Sequence, residues 1–345
     1  MSQAPTEIAA RELSDPERFR REVVDGCRPV VIRELVADWP AVGAARRSPR
    51  TFKEYVSVFD AGIRAETFFG DPAIRGKYYY ASGLKGFNFE RRTMPFLDAV
   101  EAIVEAVDRP DARSVYLGSA PTADCLPGFA AANPMPLLPG GASPRIWLGT
   151  ASNVSSHHDT YDNLACVIAG RRRFTLYAPE LIGKLYVGPI DNTMAGAPVS
   201  LAASAPEEGL RDADGNAAFP LFEEIRDQAL TAELGAGDAL YLPKLWWHQV
   251  ESISAFNGLV NYWWDAFTSG ADAPYASLLL AMITIAERPP AERQAWQAFF
   301  DHYVFRTSGH PLAHVPPHLH GLLGPLKPDN YARIRARIMR MLRAG

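Results

Sequence analysis

The chain has 345 residues, 48% of them hydrophobic and 21% charged, with a formal net charge of -4. That is the composition of a soluble globular protein, long enough for one large domain or two ordinary ones, and it gives no overall basic footprint for nucleic acid. The cysteines Cys27, Cys125 and Cys166 are widely spaced with no Cys-x-x-Cys, so the sequence suggests neither a disulfide framework nor a zinc ribbon and fits a reducing compartment. The N-terminus has no basic segment followed by an apolar one, as a signal peptide would. The longest apolar run, Leu278 to Ala286, is shorter than the roughly 20 residues a bilayer span needs. The expectation is a cytoplasmic protein with no membrane partner.

Ser14-Asp15-Pro16-Glu17 has capping-box spacing and predicts a helix to about Asp25, stopped by Gly26. Arg28 to Arg33 reads as a short β-branched strand, and Trp39-Pro40 ends the connection after it. Thr51-Phe52-Lys53-Glu54 opens a second helix that stops near Gly62, and Tyr78, Tyr79 and Tyr80 read as extended. Pro95 to Val107 is amphipathic and helical. From Ser114 the pattern turns to strands, at 114–117, 146–148, 162–168, 173–177, 239–242 and 258–263. Ala169-Gly170 reads as a hairpin turn between two of them.

The excursion from Leu181 to Leu234 carries a turn at Asp212 to Asn216 and a short helix near Leu221–Leu230. Helices return at 277–287, 291–304 and 329–343. The first is apolar on most sides, which places it in the core or in a subunit interface. The third carries Tyr331, Ile334, Ile338 and Met341 on one face, and its arginines read as a solvated face. Prolines interrupt the cluster His310, His314, His318 and His320, which reads as a histidine-rich surface loop.

Ser155-Ser156-His157-His158-Asp159 has a distant partner in Tyr241 to His248. Strand residues i and i+2 share a face, so His157 and Asp159 can reach one point while His158 turns away. With His248 they make two histidines and one carboxylate, the facial triad of non-haem Fe(II) oxygenases. His-x-Asp alone is a common accident, and a buried histidine beside a turn aspartate is its bland alternative. Both segments, however, sit at the ends of predicted strands. Trp246 and Trp247 would wall a dry site there.

Four stretches resemble the cupin-like branch of the JmjC oxygenases, of the asparaginyl-hydroxylase type. They are Ser155 to Leu164, Ala169 to Pro179, Leu240 to Ser252 and Val260 to Trp264. Arg28 to Ile32 with Trp39-Pro40 resembles that branch's N-terminal segment. The resemblance implies a double-stranded β-helix (jelly-roll, cupin) core at 114–267, an N-terminal α/β decoration at 1–113, and a C-terminal helical region at 268–345 that forms a homodimer. It implies Fe(II) held by His157, Asp159 and His248, with 2-oxoglutarate as cosubstrate. The expected activity is hydroxylation of a protein side chain or a small molecule, with release of succinate and CO2.

By the same resemblance Asn163 and Asn261 line the cosubstrate pocket, Tyr116 hydrogen-bonds the cosubstrate tail, and Arg172 pairs with its distal carboxylate. Two positions depart from the family. Arg172 stands where lysine is usual, and Arg171 or Arg173 would take its place if the turn were shifted. Val154 stands where a hydroxyl residue is common, with Ser155 or Ser156 as substitutes if the strand is offset. Two readings from other classes stay open: a metal-dependent cupin enzyme that does not use 2-oxoglutarate, and a non-catalytic cupin-like binding protein.

Overall fold

The computed structural model describes residues 3–343 apart from 110, 192, 195, 206–208, 212–213 and 269. Residues 212 and 213 of the predicted turn lie outside the described residues. The chain divides into two compact units, 1–266 and 267–345. No helix among the described residues is long and apolar enough to cross a membrane.

Among the described residues, the first unit holds fourteen strands. They are β1 (Thr6–Ala9), β2 (Val30–Arg33), β3 (Arg64–Gly70), β4 (Lys77–Tyr78), β5 (Phe89–Pro95), β6 (Ser114–Pro121) and β7 (Pro144–Gly149), then β8 (Ser152–His157), β9 (Asp162–Ala169), β10 (Arg171–Tyr177), β11 (Leu230–Gly235), β12 (Ala239–Leu242), β13 (Trp247–Ser252) and β14 (Asn257–Trp264). Nine form one sheet in the order β1-β2-β12-β9-β14-β7-β6-β3-β5, and five form another in the order β11-β10-β13-β8-β4. The fold is a double-stranded β-helix with helices added, as expected. The structure also shows that the N-terminal third supplies β1, β2, β3 and β5 to the large sheet and β4 to the small one.

Alternation along the central strands explains how two cores arise from one sheet. On β9, Leu164, Cys166 and Ile168 face a core shared with N-terminal helical residues such as Phe52, Phe96 and Ile103. Ala165 and Val167 face the other way, into a core between the two sheets with Leu240, Leu242 and Leu259 from the large sheet and Phe174, Leu176 and Leu234 from the small one. All eight residues of β9 are buried, because helices cover one face and the second sheet covers the other.

The predicted hairpin at Ala169-Gly170 is not one. β9 lies in the nine-stranded sheet and β10 in the five-stranded sheet, so the chain crosses between layers there. Gly170 has φ +70, and a Cβ on it would sit 2.4 Å from the Phe256 carbonyl oxygen, so only glycine makes the crossing without strain. The crossing matters for the site because it aims β10 along the inner wall opposite β9.

The first predicted helix is split into an α segment, Pro16–Phe19, and a wider turn, Arg20–Val24. Pro40–Arg47 is a helix that begins where the connection was expected to end. The predicted helix near Leu221–Leu230 shortens to Pro220–Glu223 plus a turn at Arg226–Gln228, because Leu230 begins β11.

In the second unit, Pro274–Ile285, Pro290–Phe300 and Pro328–Arg343 are helical, and none carries a buried residue. The first of these is therefore not a core helix of this chain.

One buried polar knot fixes the start of β9. Asp162, 1% exposed, accepts from the Tyr241 hydroxyl at 3.0 Å and from the Ala266 amide at 3.0 Å, with Lys244 Nζ at 3.3 Å. It thereby ties β9 to β12, to the end of β14 and to the loop before β13. Asp162→Ala should lower the unfolding free energy by about 3 kcal/mol, since it strips buried donors of their shared acceptor. Urea denaturation measures this.

Candidate active site

β8 and β13 are antiparallel neighbours in which His157 lies directly opposite His248. Their rings are 4.3 Å apart between centroids. The register slips in the next step: Val250 pairs with Val154, so two residues of β8, Ser155 and Ser156, face one of β13, Gln249. This bulge puts Val154 and His157, three positions apart, on the same cavity wall, where strict alternation would separate them. Asp159 lies beyond the end of β8, in the loop that leads to β9. Its peptide oxygen accepts from Leu245 N–H at 2.8 Å, and Leu245 holds a left-handed φ of +69 to donate there. The two segments that carry the triad are thus joined backbone to backbone.

Each histidine has its tautomer set by a carbonyl two residues upstream. His157 Nδ1 lies 2.8 Å from the Ser155 oxygen and His248 Nδ1 lies 3.0 Å from the Trp246 oxygen. A carbonyl can only accept, so both Nδ1 atoms carry the proton and both Nε2 lone pairs are free for a metal. Asp159 Oδ2 is 3.9 Å from His248 Nε2 and accepts from the Trp263 indole N–H at 3.0 Å. The three ligand atoms lie within 4.8 Å of one another, and this is the one such grouping found among the described residues. Burial, and after it the neighbouring His157, hold the His248 pKa below the ordinary imidazole value, so the ring is neutral and ready to ligate near pH 7. His158 points the other way and packs edge-on against Trp247, 4.8 Å away.

The triad opens into a cavity of about 360 Å³ that runs between the sheets. Arg172, on β10, lies at its wall and is 2% exposed. Its Nε and Nη2 are buried with no hydrogen-bond partner among the described residues. A buried cation without an acceptor is costly, and an anion at this point of the cavity would offset that cost. Arg171 and Arg173 lie outside and pair with Glu233 at 2.7 Å. Tyr116 lines the same cavity, and burial pushes its phenol up to about 12, which keeps the hydroxyl protonated as a donor.

Asn163 and Asn261 also line this cavity, and a donor-only group sets their polarity. Trp147 Nε1 donates to Asn261 Oδ1 at 2.6 Å. Asn261 Nδ2 must then donate to Asn163 Oδ1, at 3.1 Å. That leaves the Asn163 amide N–H2 as the group available to a ligand. Val154 gives the cavity no hydroxyl, and the neighbouring serines do not replace it. Ser155 Oγ donates to the Tyr78 carbonyl at 2.7 Å, and neither Ser155 nor Ser156 lines the cavity.

Trp246 and Trp247 do not wall the site. His248 faces inward, so Trp247 faces outward by alternation and packs with Tyr177 and Phe222. Trp246 donates its indole N–H to the Cys27 carbonyl at 3.3 Å. The indoles that do line the cavity are Trp147 and Trp263, 5.9 Å apart and edge to face. Trp263 was findable, since it shares a strand face with Asn261 two residues before it. Trp147 gave no such signal. In the second unit, His310 and His320 stack at 4.7 Å and bond backbone carbonyls through Nε2.

A family model of cupin-like domains matches residues 16–270. The chain belongs to the cupin-like domain family. Among its relatives, the chain is 31% identical over 126 residues to the lysine-specific demethylase JMJ31 of Arabidopsis thaliana, covering 36% of this chain and 21% of that protein. It is 33% identical over 128 residues to the Jumonji C domain-containing protein 5 of Drosophila melanogaster, covering 37% and 29%. It is 26% identical over 276 residues to the human bifunctional peptidase and (3S)-lysyl hydroxylase JMJD7, covering 72% and 81%. The cupin-like JmjC resemblance read from the motifs therefore stands. The chain spans well under half the length of the first two relatives.

The lowered His248 pKa has a consequence for stability. Below its ordinary value of 6.5 the unfolded chain takes up a proton that the folded ring resists. The unfolded state then binds more protons, so stability falls as pH drops from 6.5 toward the folded value. Melting temperatures of the metal-free protein should decline over that window, and His248→Gln should flatten the decline.

Proposed function

We propose that this protein is an Fe(II)- and 2-oxoglutarate-dependent oxygenase that hydroxylates a protein side chain. The supporting observation is that one cavity holds both the facial triad at one wall and Arg172, buried with two unpartnered nitrogens, at another. His157 Nε2, His248 Nε2 and an Asp159 oxygen would hold the metal. Arg172 would take the distal carboxylate of 2-oxoglutarate in a bidentate fork, with the Tyr116 hydroxyl as a further donor. The Asn163 amide would donate to the cosubstrate between these ends.

With iron, 2-oxoglutarate and dioxygen bound, the site supplies oxidative decarboxylation to succinate and CO2 coupled to insertion of one oxygen atom into a C–H bond. The chain itself binds and orients these groups and keeps water out with Trp147, Leu259 and Phe174. Its burial of Arg172 argues against the metal cupin that does without 2-oxoglutarate. The intact triad argues against a binding module that has lost turnover. Hydroxylation is favoured over demethylation by the motif resemblance, and one relative is named a lysyl hydroxylase.

The deciding experiment is an anaerobic titration of the metal-free protein with Fe(II) and then 2-oxoglutarate, following the visible charge-transfer band of the chelate. The wild type should develop the band. Arg172→Ala should need on the order of 100-fold more 2-oxoglutarate, the equivalent of about 3 kcal/mol for a charged, forked hydrogen-bond pair. Arg172→Lys should recover only part of it, because the fork is lost. Iron binding without a band would select the other metal-cupin chemistry, and no iron binding would select the binding module.

The second unit supports a homodimer. Its helices expose the large apolar side chains Leu278, Leu279, Met282, Ile283, Trp296 and Phe299, the kind of surface that marks an interaction site. A second copy offers an equal apolar helical surface and closes the contact by two-fold symmetry. Light scattering on the purified protein should give twice the chain mass, and Ile283→Glu should shift it to the monomer.

A further inference from the structure

The carboxylate of the triad is the member with the least support from its own strand. Asp159 follows the end of β8, and one backbone hydrogen bond, to Leu245 N–H, anchors its peptide. Its side chain is 18% exposed and free to rotate about two bonds unless something holds it. We infer that Trp263 is the positioning residue that does so: its indole N–H, 3.0 Å from Asp159 Oδ2, fixes the carboxylate's rotamer toward the two histidines. The inference rests on the reading above that His157, Asp159 and His248 hold a metal.

The indole suits this task for three reasons. It only donates and does not titrate in the working range, so it holds the anionic carboxylate at every pH where the protein functions. It occupies one lone pair of Oδ2, the oxygen that also lies 3.9 Å from His248 Nε2, and so fixes which way the carboxylate plane faces. Its own position is over-determined. Trp263 pairs with Asn163 across β14 and β9, meets Trp147 edge to face, and lies under the Arg145 guanidinium at 5.7 Å.

Arg145 is held in turn. Its Nε donates to Ser119 Oγ at 2.5 Å and its Nη2 donates to the Ser119 carbonyl at 2.7 Å. Ser119 has a left-handed φ of +52 within a register shift of β6 against β7. The irregularity in β6 thus places Ser119 to hold Arg145, which in turn lies over the Trp263 ring. β14 therefore presents an amide, Asn261, toward the other asparagine, and two residues later an indole toward the triad. Packing alone would need the ring and not its N–H.

The test uses Co(II) as the probe on the full chain, with affinity from chelator competition and geometry from the visible d–d spectrum. Trp263→Phe keeps most of the ring and loses the donor. It should bind Co(II) about 10- to 100-fold more weakly, the usual cost of losing such a supporting hydrogen bond, with an altered d–d spectrum. Trp263→Gln returns an N–H2 at similar reach without the ring, and should recover affinity relative to Trp263→Phe despite poorer packing. If Trp263→Phe binds within about twofold of wild type, the inference fails while the metal reading stands. The inference also fails if both variants lose affinity equally in step with a lowered melting temperature, because the role is then structural. If the wild type itself takes up no Co(II), the metal reading falls and the inference falls with it.

Discussion

The pairing of β8 with β13 is the constraint on which the site depends. It sets His157 against His248 across two strands, with rings 4.3 Å apart. A one-residue slip in that ladder would turn His248 out and Trp247 in, because side chains alternate. The slip is resisted from both sides. Trp247 is already buried among Tyr177, Phe222 and Ile225 on the outer face, and Leu245 N–H is already committed to the Asp159 carbonyl. The bulge then adds the one irregularity the site needs, bringing Val154 round to the wall that holds His157.

The interior between the sheets is graded in polarity along its length. Aliphatic residues such as Val167, Leu240 and Leu234 fill the part away from the triad. Arg172 enters this apolar wall with two nitrogens lacking acceptors, which is costly unless an anion completes it. In the same cavity, the Trp147–Asn261–Asn163 chain carries one direction of hydrogen bonding, fixed by the indole at its start. At the triad itself a second indole, Trp263, meets the carboxylate. Donors whose protonation never changes thus surround groups whose charge matters.

The N-terminal third supports this arrangement. Its helical residues cover the outer face of β9, β12 and β14, so strands that carry Asn163 and Asn261 inward are pinned outward by Leu164, Cys166, Val260 and Tyr262. At the mouth, Arg91 reaches the Met194 carbonyl at 2.9 Å and lies over the Phe87 ring at 4.9 Å, while Glu66 lines the opening beside it. The opening is therefore aromatic with one charge of each sign, and it is furnished by β3 and β5, strands that no motif announced.

The sequence by itself determined the residue types and their order. His157, Asp159 and His248 were legible because metal ligation restricts the usable side chains and strand alternation restricts their spacing. The central strands were legible because residues buried on both faces form near-continuous apolar runs. Arg172 could be named but not placed, since three consecutive arginines after a turn look alike until a sheet decides which one faces inward.

The crossing at Gly170, the bulge at Ser155 and Ser156, and the pairing of β3 and β5 with the large sheet arise from hydrogen bonds between distant segments, and local propensity carries no record of those. The same holds for the two tryptophans. Trp246 and Trp247 lay next to the ligand in sequence, but alternation sent Trp247 outward, and the Cys27 carbonyl holds the Trp246 indole away from the cavity. Trp147 and Trp263 reached the cavity because strands far apart in the chain are adjacent in the sheet.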